Sequence, residues 1–458
     1  MSAKSKTLIA ALAVLVLLIG AYAGARAWQK KKASEKPAST AFQESIRLTE
    51  FDSSEISKIE IISSELVLEK NDGLWQLTFP QKKGIAIDQN AVSGKLWSIS
   101  NLRADRVIEE EAVDLSQYGL DDPQGHTIIT DSANKKAEVF FGNFTPGRDS
   151  YYVMVKGDPK VYTVYYYSVQ NFTFKLDDIR KRDLLPDFDP VSLTRFILEN
   201  PDLKIEVEEK KGDDFLISSF SSFVITSPYR NPRAADSEKF GNIQQSLGNL
   251  RIGEFIDDEP KSLAPYGLDK PGRLYIESPA QSLDLNFGYG ADGALYVKLA
   301  VEDGVFTVPG LEDVINTKPF AIADKFILIF HIDTVKDYTV SGDGRTIRAE
   351  IRGTKDEPEF FLDGRRTADK EFRNYYQAVI GLLADAEYPG PQGKISDGPA
   401  ITITFNMKEP EGASASVSLT PYNRDFYSVT QNGETEFLLS RSQVQNIFES
   451  ADKMVYEE

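Results

Sequence analysis

Gly288-Tyr289-Gly290-Ala291-Asp292-Gly293 matches the G-x-G-x-x-G pattern of dinucleotide sites. Such a loop must end a strand and open a helix, so that backbone amides and the helix dipole meet a pyrophosphate. Here it separates two short apolar, strand-like runs and reads as a hairpin loop. Its counterpart one copy earlier is Asn143–Ser150, which holds Arg148. His126 and His331 are the only histidines, 205 positions apart. Without a second nearby histidine they make neither a Ser-His-Asp triad nor a transition-metal site. There is no cysteine, which removes disulfides, thiolate metal centres and thiol nucleophiles together. Acid clusters such as Asp177-Asp178 and Asp257-Asp258-Glu259 lack the spacing of a calcium loop. No Walker A, HExxH or GxSxG element occurs. The sequence therefore points to no catalytic residue, metal or cofactor. The candidate interaction residues are Tyr118 and Tyr266, from a twice-occurring Tyr-Gly-Leu-Asp-x-Pro element, together with Arg148 and Tyr289 in the two hairpin loops. A packing role competes for the tyrosines: glycine permits the turn, leucine and tyrosine plug the core and proline stops the helix.

The elements that position these residues repeat. Residues 88–123 align without a gap to 236–271, carrying Asn101-Leu102-Arg103 onto Asn249-Leu250-Arg251 and Tyr118-Gly119-Leu120-Asp121 onto Tyr266-Gly267-Leu268-Asp269. Phe141-Gly142 recurs as Phe287-Gly288. Asp88 and Asp236 read as helix N-caps. Ile87 with Val92, and Ala235 with Phe240, occupy the positions of a hydrophobic staple. Val92, Leu96, Ile99 and Leu102 then share a helical face, as do Phe240, Ile243, Leu247 and Leu250. A fainter third copy starts a helix at Asp369, with Phe372, Tyr376, Val379 and Leu383. Strands flank each helix: Ile59–Ile62, Leu66–Leu68 and Trp75–Phe79 before the first, Thr127–Thr130, Ala137–Phe141, Tyr151–Val155 and Val161–Tyr165 after it. Phe196–Leu198, Ile205–Val207 and Phe215–Ile217 precede the second. Ile401–Phe405, Ser416–Leu419, Phe426–Val429 and Glu436–Leu439 follow the third. The expected fold is α+β: three tandem modules, each a mostly antiparallel βββ-α-ββββ sheet with one covering helix. Expected boundaries are 51–188, 189–332 and a divergent 333–458.

Ahead of them, Thr7–Ala25 is an uncharged apolar run, followed by Trp28 and Lys30–Lys32. Its length, roughly 28 Å as a helix, matches a bilayer core. Residues 1–32 are expected to form a short cytoplasmic tail and a single transmembrane signal anchor, and 33–50 a polar spacer. Cleavage after Ala23 is the competing reading. The chain's formal net charge is −18 although residues 1–32 carry six basic residues and no acid, so the body is more negative still. Such a body repels phosphate backbones, which argues against nucleic acid as a partner. The expected place is the cytoplasmic (inner) membrane, single-pass, with the bulk outside the cytoplasm.

Gly73-Leu74-Trp75 with Pro80, the capped helix, Leu115-x-x-Tyr118-Gly119-Leu120-x-x-Pro123, Phe141-Gly142, Tyr151-Tyr152 and the Arg180–Leu185 segment (RKRDLL) together resemble a bacterial family termed domain of unknown function 4340. The resemblance covers residues 50–190 well and 190–332 in part; the third copy lacks both Tyr-Gly-Leu and Phe-Gly. Members are often encoded beside ABC-type transporters of the gliding-motility kind. The resemblance thus implies an extracytoplasmic accessory protein whose partner is a transporter permease or an auxiliary membrane component. It carries over no catalytic residue. The alternative function is an envelope polysaccharide-binding protein or carboxylate-based hydrolase, with Tyr162, Tyr165, Tyr166, Tyr167, Phe172 and Phe174 stacking on sugar rings.

Overall fold

The computed structural model describes residues 46–82, 84–185, 187–212, 221–391, 398–409 and 411–457. The apolar run Thr7–Ala25 and the expected strand Phe215–Ile217 lie outside them. Among the described residues no helix is long and apolar enough to cross a membrane. The chain divides into two compact units, the first ending at Lys181 and the second starting at Arg182.

The architecture is α+β and mostly sheet, with four antiparallel sheets and few helices. Three are large. In the first unit the strand order is Leu74–Phe79, Leu66–Asn71, Ile56–Ile61, Gly125–Asp131, Lys136–Phe144, Ser150–Val155, Val161–Tyr165 and Arg106–Glu109. Alternation decides its faces: Ile59, Ile61, Leu66, Leu68, Ile129, Val139 and Val153 point inward onto Val92, Leu96 and Ile99 of helix α1 (Gln89–Ser100). Asp88 caps that helix, accepting from the amides of Asn90 and Ala91 at 2.9 and 3.1 Å. Two further strands, Ile46–Arg47 and Arg103–Ala104, form the small fourth sheet.

The second unit contains two nine-stranded sheets. One runs Arg233–Ala234, Phe223–Ser227, Leu203–Glu209, Arg195–Asn200, Gly272–Glu277, Ser282–Tyr289, Leu295–Leu299, Val305–Phe306 and Phe255–Asp257, with helix α2 at Ser237–Gly248. The other runs Arg365–Arg366, Pro358–Leu362, Arg345–Gly353, Val335–Gly342, Ile401–Met407, Ser414–Pro421, Phe426–Gln431, Glu434–Ser440 and Ala386–Glu387, with α3 at Asp369–Ile380 and α4 at Arg441–Asp452. Their apolar faces share one continuous core. In each of the three large sheets, the first strand (Ile56–Ile61, Arg195–Asn200 or Val335–Gly342) pairs at the centre with the first long strand after the helix (Gly125–Asp131, Gly272–Glu277 or Ile401–Met407). The strands leading into the helix run out to one edge, and a short strand just after the helix closes the other. That edge strand departs from the βββ-α-ββββ order expected, because two to four residues hold too little alternation to be read.

Two helix details also differ. The third helix starts at Asp369 as expected, but its N-cap is Ala368, which offers no side-chain hydrogen bond. Phe372, Tyr376 and Val379 are buried as expected, whereas past the end of the helix Leu382 is the buried leucine and Leu383 is 39% exposed. In α2 the buried position between Phe240 and Leu247 belongs to Gln244, whose amide Nε2 donates to the Pro190 carbonyl at 2.8 Å, while Ile243 is only partly buried. The starts of α1, α2 and α3 are tied to the chain far downstream. The amides of Asp88, Asp236 and Ala368 donate to the carbonyls of Ile179, Ile322 and Val455 at 2.8, 2.8 and 3.0 Å.

Where the two sheets of the second unit meet, polar groups are dense. The Tyr229 hydroxyl donates to Glu387 at 2.8 Å, and the Arg230 amide donates to Glu436 at 2.6 Å. Arg233 donates to the carbonyls of Asp324 and Phe326 and lies over the Phe437 ring. Lys325 Nζ is buried there over the ring of Phe320, with no hydrogen-bond partner among the described residues. Burial, with the Arg233 charge adding to it, pulls its amine down to about 8.

Candidate functional site

Tyr118 and Tyr266 end matching one-turn helices, Ser116–Tyr118 and Ala264–Tyr266, each followed by a left-handed glycine, Gly119 at φ 65° and Gly267 at φ 66°. The Tyr118 hydroxyl donates to Glu109 at 2.7 Å, and its ring lies 4.9 Å from that of Tyr152. Tyr266 donates to Asp257 at 3.1 Å and meets Tyr296 at 5.2 Å. Glu109 and Asp257 occupy the two closing edge strands, so the motif pins each edge. Hydrogen bonding to Glu109 pushes the Tyr118 phenol up to about 12, and Asp257 raises that of Tyr266. Leu120 and Leu268 are buried. The Phe-Gly element completes the device: a Cβ on Gly142 would sit 2.2 Å from the Tyr118 carbonyl, and one on Gly288 2.1 Å from that of Gly267. Two motifs far apart in sequence therefore meet as backbone against backbone.

Arg148 is exposed in its hairpin at φ 55°. Tyr289 is 48% exposed, its phenol raised by burial and by Glu312. The glycine-rich stretch turns between Ser282–Tyr289 and Leu295–Leu299, with the Gly290 amide donating to Ala294, as a hairpin should. Tyr266 and Tyr289 are neighbours, since a Cβ on Gly267 would meet the Tyr289 carbonyl at 2.2 Å. Tyr118 and Arg148 belong to the first unit. Tyr266 and Tyr289 belong to the second. Of the aromatics considered for sugar stacking, Tyr162, Phe172 and Phe174 are core, whereas Tyr165 and Tyr167 are exposed. His126 stacks on Phe140 and pairs with Glu138 at 2.9 Å. No group of acids and histidines fit to hold a metal occurs among the described residues.

Sequence reasoning did not find a cavity of about 440 Å3 in the second unit. The Ile329–Ile332 segment forms one side. Arg373, Tyr376, Gln377 and Ile380, spaced along one face of α3, form the other. The Tyr376 hydroxyl donates to the Phe330 carbonyl at 2.8 Å and ties the two sides together. Arg373 Nε is held by Asp369 one turn earlier at 3.0 Å, and His331 Nδ1 lies 3.3 Å from Asp333. The comparable place on α2 is filled: Pro190 and Phe188 pack on Gly248. Only the apolar run before His331 hinted at this feature.

A family model described as Domain of unknown function (DUF4340) matches residues 75–271 and again residues 224–385. The chain belongs to this family. No curated protein and no solved structure matches it.

One surface of this DUF4340 chain lies mostly beyond the matched residues. Cross-strand register places Thr346, Ser341, Thr402, Ser418, Thr430 and Thr435 side by side on six successive strands of the third large sheet. Neighbouring strands are about 4.8 Å apart, so this is a ruled line of hydroxyls on the face opposite the core. Ser341 bonds Thr346 at 3.0 Å and Thr430 bonds Thr435 at 2.8 Å. The corresponding face of the second sheet is charged instead, with Arg273 gripping Asp284 through two bonds of 2.8 and 2.9 Å.

Proposed function

We propose that this DUF4340 chain is a non-catalytic accessory or scaffold protein, anchored in the cytoplasmic membrane through Thr7–Ala25 with its bulk outside the cytoplasm. Its three repeated modules (51–188, 189–332 and 333–458) present sheet surfaces to an ABC-type transporter permease or an auxiliary membrane component. The observation that carries this reading is the shared layout of the three large sheets. All have the same central pairing, a helix seated on the apolar face and an opposite face left to polar side chains. The best-marked residues, Tyr-Gly-Leu and Phe-Gly, are spent on holding that layout, and a display surface needs nothing more from them. The apolar run and its lysine stop supply the tether in sequence.

The test is cross-linking of the tagged full-length protein in membranes, followed by detergent extraction, affinity capture and mass spectrometry. Permease or auxiliary subunits of one transporter are expected. Recovery of the chain with no membrane partner would sink the reading.

The hydroxyl row favours a second reading, an envelope polysaccharide-binding protein, because neutral hydroxyls at regular spacing suit a glycan chain better than a charged ligand. Co-sedimentation with insoluble envelope polysaccharide, lost when Thr402 and Ser418 become valine, distinguishes it.

A further inference from the structure

We propose that the cavity between the Ile329–Ile332 segment and α3 binds an amphiphilic carboxylate, its apolar chain against Ile329, Ile332 and Ile380 and its head group at Arg373. The inference goes beyond the scaffold reading and does not depend on it. Small-molecule sites are mostly apolar concavities of about 300–1,000 Å3 with a few convergent polar groups, and 440 Å3 falls within that range.

The lining brings two chemistries together: Tyr376 is buried, Arg373 and Ile380 are half-buried, and Gln377 is exposed one helical turn from each of those two. Asp369 engages Arg373 through Nε and so orients the guanidinium. Among the described residues neither Nη group donates a hydrogen bond, and the Gln377 side-chain amide makes none. A guanidinium offers a planar pair of donors that matches a carboxylate, and the nearby amide adds another. The carboxylates at this mouth are already engaged, Asp369 with Arg373 and Asp333 with His331 and Lys355 at 3.3 and 3.7 Å. An incoming anion therefore meets donors rather than bare acids. The apolar walls favour an apolar body over a small hydrophilic anion, because binding removes both surfaces from water. The comparison within the chain points the same way. On α2 the equivalent place is closed by Pro190 and Phe188 against Gly248, while here Ile380 and an open space remain.

The experiment uses the full-length chain in lipid nanodiscs, irradiated with a diazirine-bearing decanoate, digested and mapped by mass spectrometry. Adducts are expected within residues 326–332 and 373–383, suppressed by excess decanoate but not by decanol. Arg373→Gln should reduce labelling about tenfold, with partial recovery in Arg373→Lys, as expected for loss of a charge-assisted contact. Ile380→Trp should abolish it by filling the space; the exposed Arg373 pair covers the case in which this variant misfolds. Adducts confined to other segments, equal competition by decanol, or undiminished labelling of Arg373→Gln would each overturn the proposal.

Discussion

Replacing Gly142 by alanine tests whether the Phe-Gly and Tyr-Gly-Leu elements are one packing device. The new methyl would lie 2.2 Å from the Tyr118 carbonyl oxygen and 3.1 Å from the Gly119 carbonyl carbon. Ordinary contact begins near 3.5 Å, so roughly 1 Å of separation must be found. Both partners are backbone, in a strand and in a left-handed turn, and no rotamer change can supply it. Overpacking of a well-filled site costs about 1–3 kcal/mol, and with main chain on both sides the upper end, about 3 kcal/mol, applies. The first unit contains buried Trp75 as its reporter. With a urea slope of about 2 kcal/mol/M, the midpoint of the Trp75 emission change should fall by about 1.5 M. Gly94→Ala is the opposite control. Gly94 is a helix-interior glycine of α1 with nothing within 4 Å of its built Cβ. That variant should gain about 0.5–1 kcal/mol. A Gly142→Ala midpoint within 0.3 M of wild type, by a rough reading of the same slope, would refute the close-approach argument.

Three further outcomes follow from the second unit. Asp236→Ala removes a cap that accepts from the Glu238 and Lys239 amides, and thermal denaturation should show a loss of about 1 kcal/mol. Ala368→Asp gives α3 the cap it lacks and should gain a similar or smaller amount, the reverse sign at the matching position. Lys325 is held near 8 when folded but titrates near 10.4 when unfolded, so the unfolded chain binds the extra proton between those values. Stability of the second unit should therefore rise with pH across that window, by roughly 1 kcal/mol once the partial exposure is discounted. Lys325→Met should flatten the rise and stabilise the unit at pH 7 by about 1 kcal/mol. Chemical denaturation at pH 7, 8.5 and 10 reads both.

Much of the fold was legible where local and tertiary signals agree. Asp88 and Asp236 announced their helices because a cap aspartate and a staple pair sit at set positions, and the alternating strands announced their buried faces. The glycine-rich stretch could be assigned to a hairpin because no helix pattern follows it. What failed was local signal too short or too weak. The closing edge strands of two to four residues hold no period. α3 starts at Asp369 and buries Phe372, Tyr376 and Val379 as its period requires, but it ends at Ile380, so beyond it the helical period no longer holds and Leu382 is buried in place of Leu383. α4 has Ser440 ahead of it without a capping bond, and its buried stripe of Val444, Ile447 and Ala451 is too sparse to mark a helix in sequence. Tyr118 and Tyr266 were rightly placed beside a turn, but their carboxylate partners lie on edge strands that could not be seen. The cavity was illegible in principle, since it exists only where Phe330 and Tyr376, 46 positions apart, are joined.

The long-range amide bonds at the helix starts set a schedule for synthesis. Asp88, Asp236 and Ala368 each wait for a carbonyl about ninety residues downstream. A ribosome adding about 5–20 residues per second takes roughly 5–18 s to supply it. During that interval the helix has only half a sheet to lie on, and its apolar stripe stays partly wetted. Nascent chains paused inside any such window should be the ones that protease cuts and that folding helpers hold.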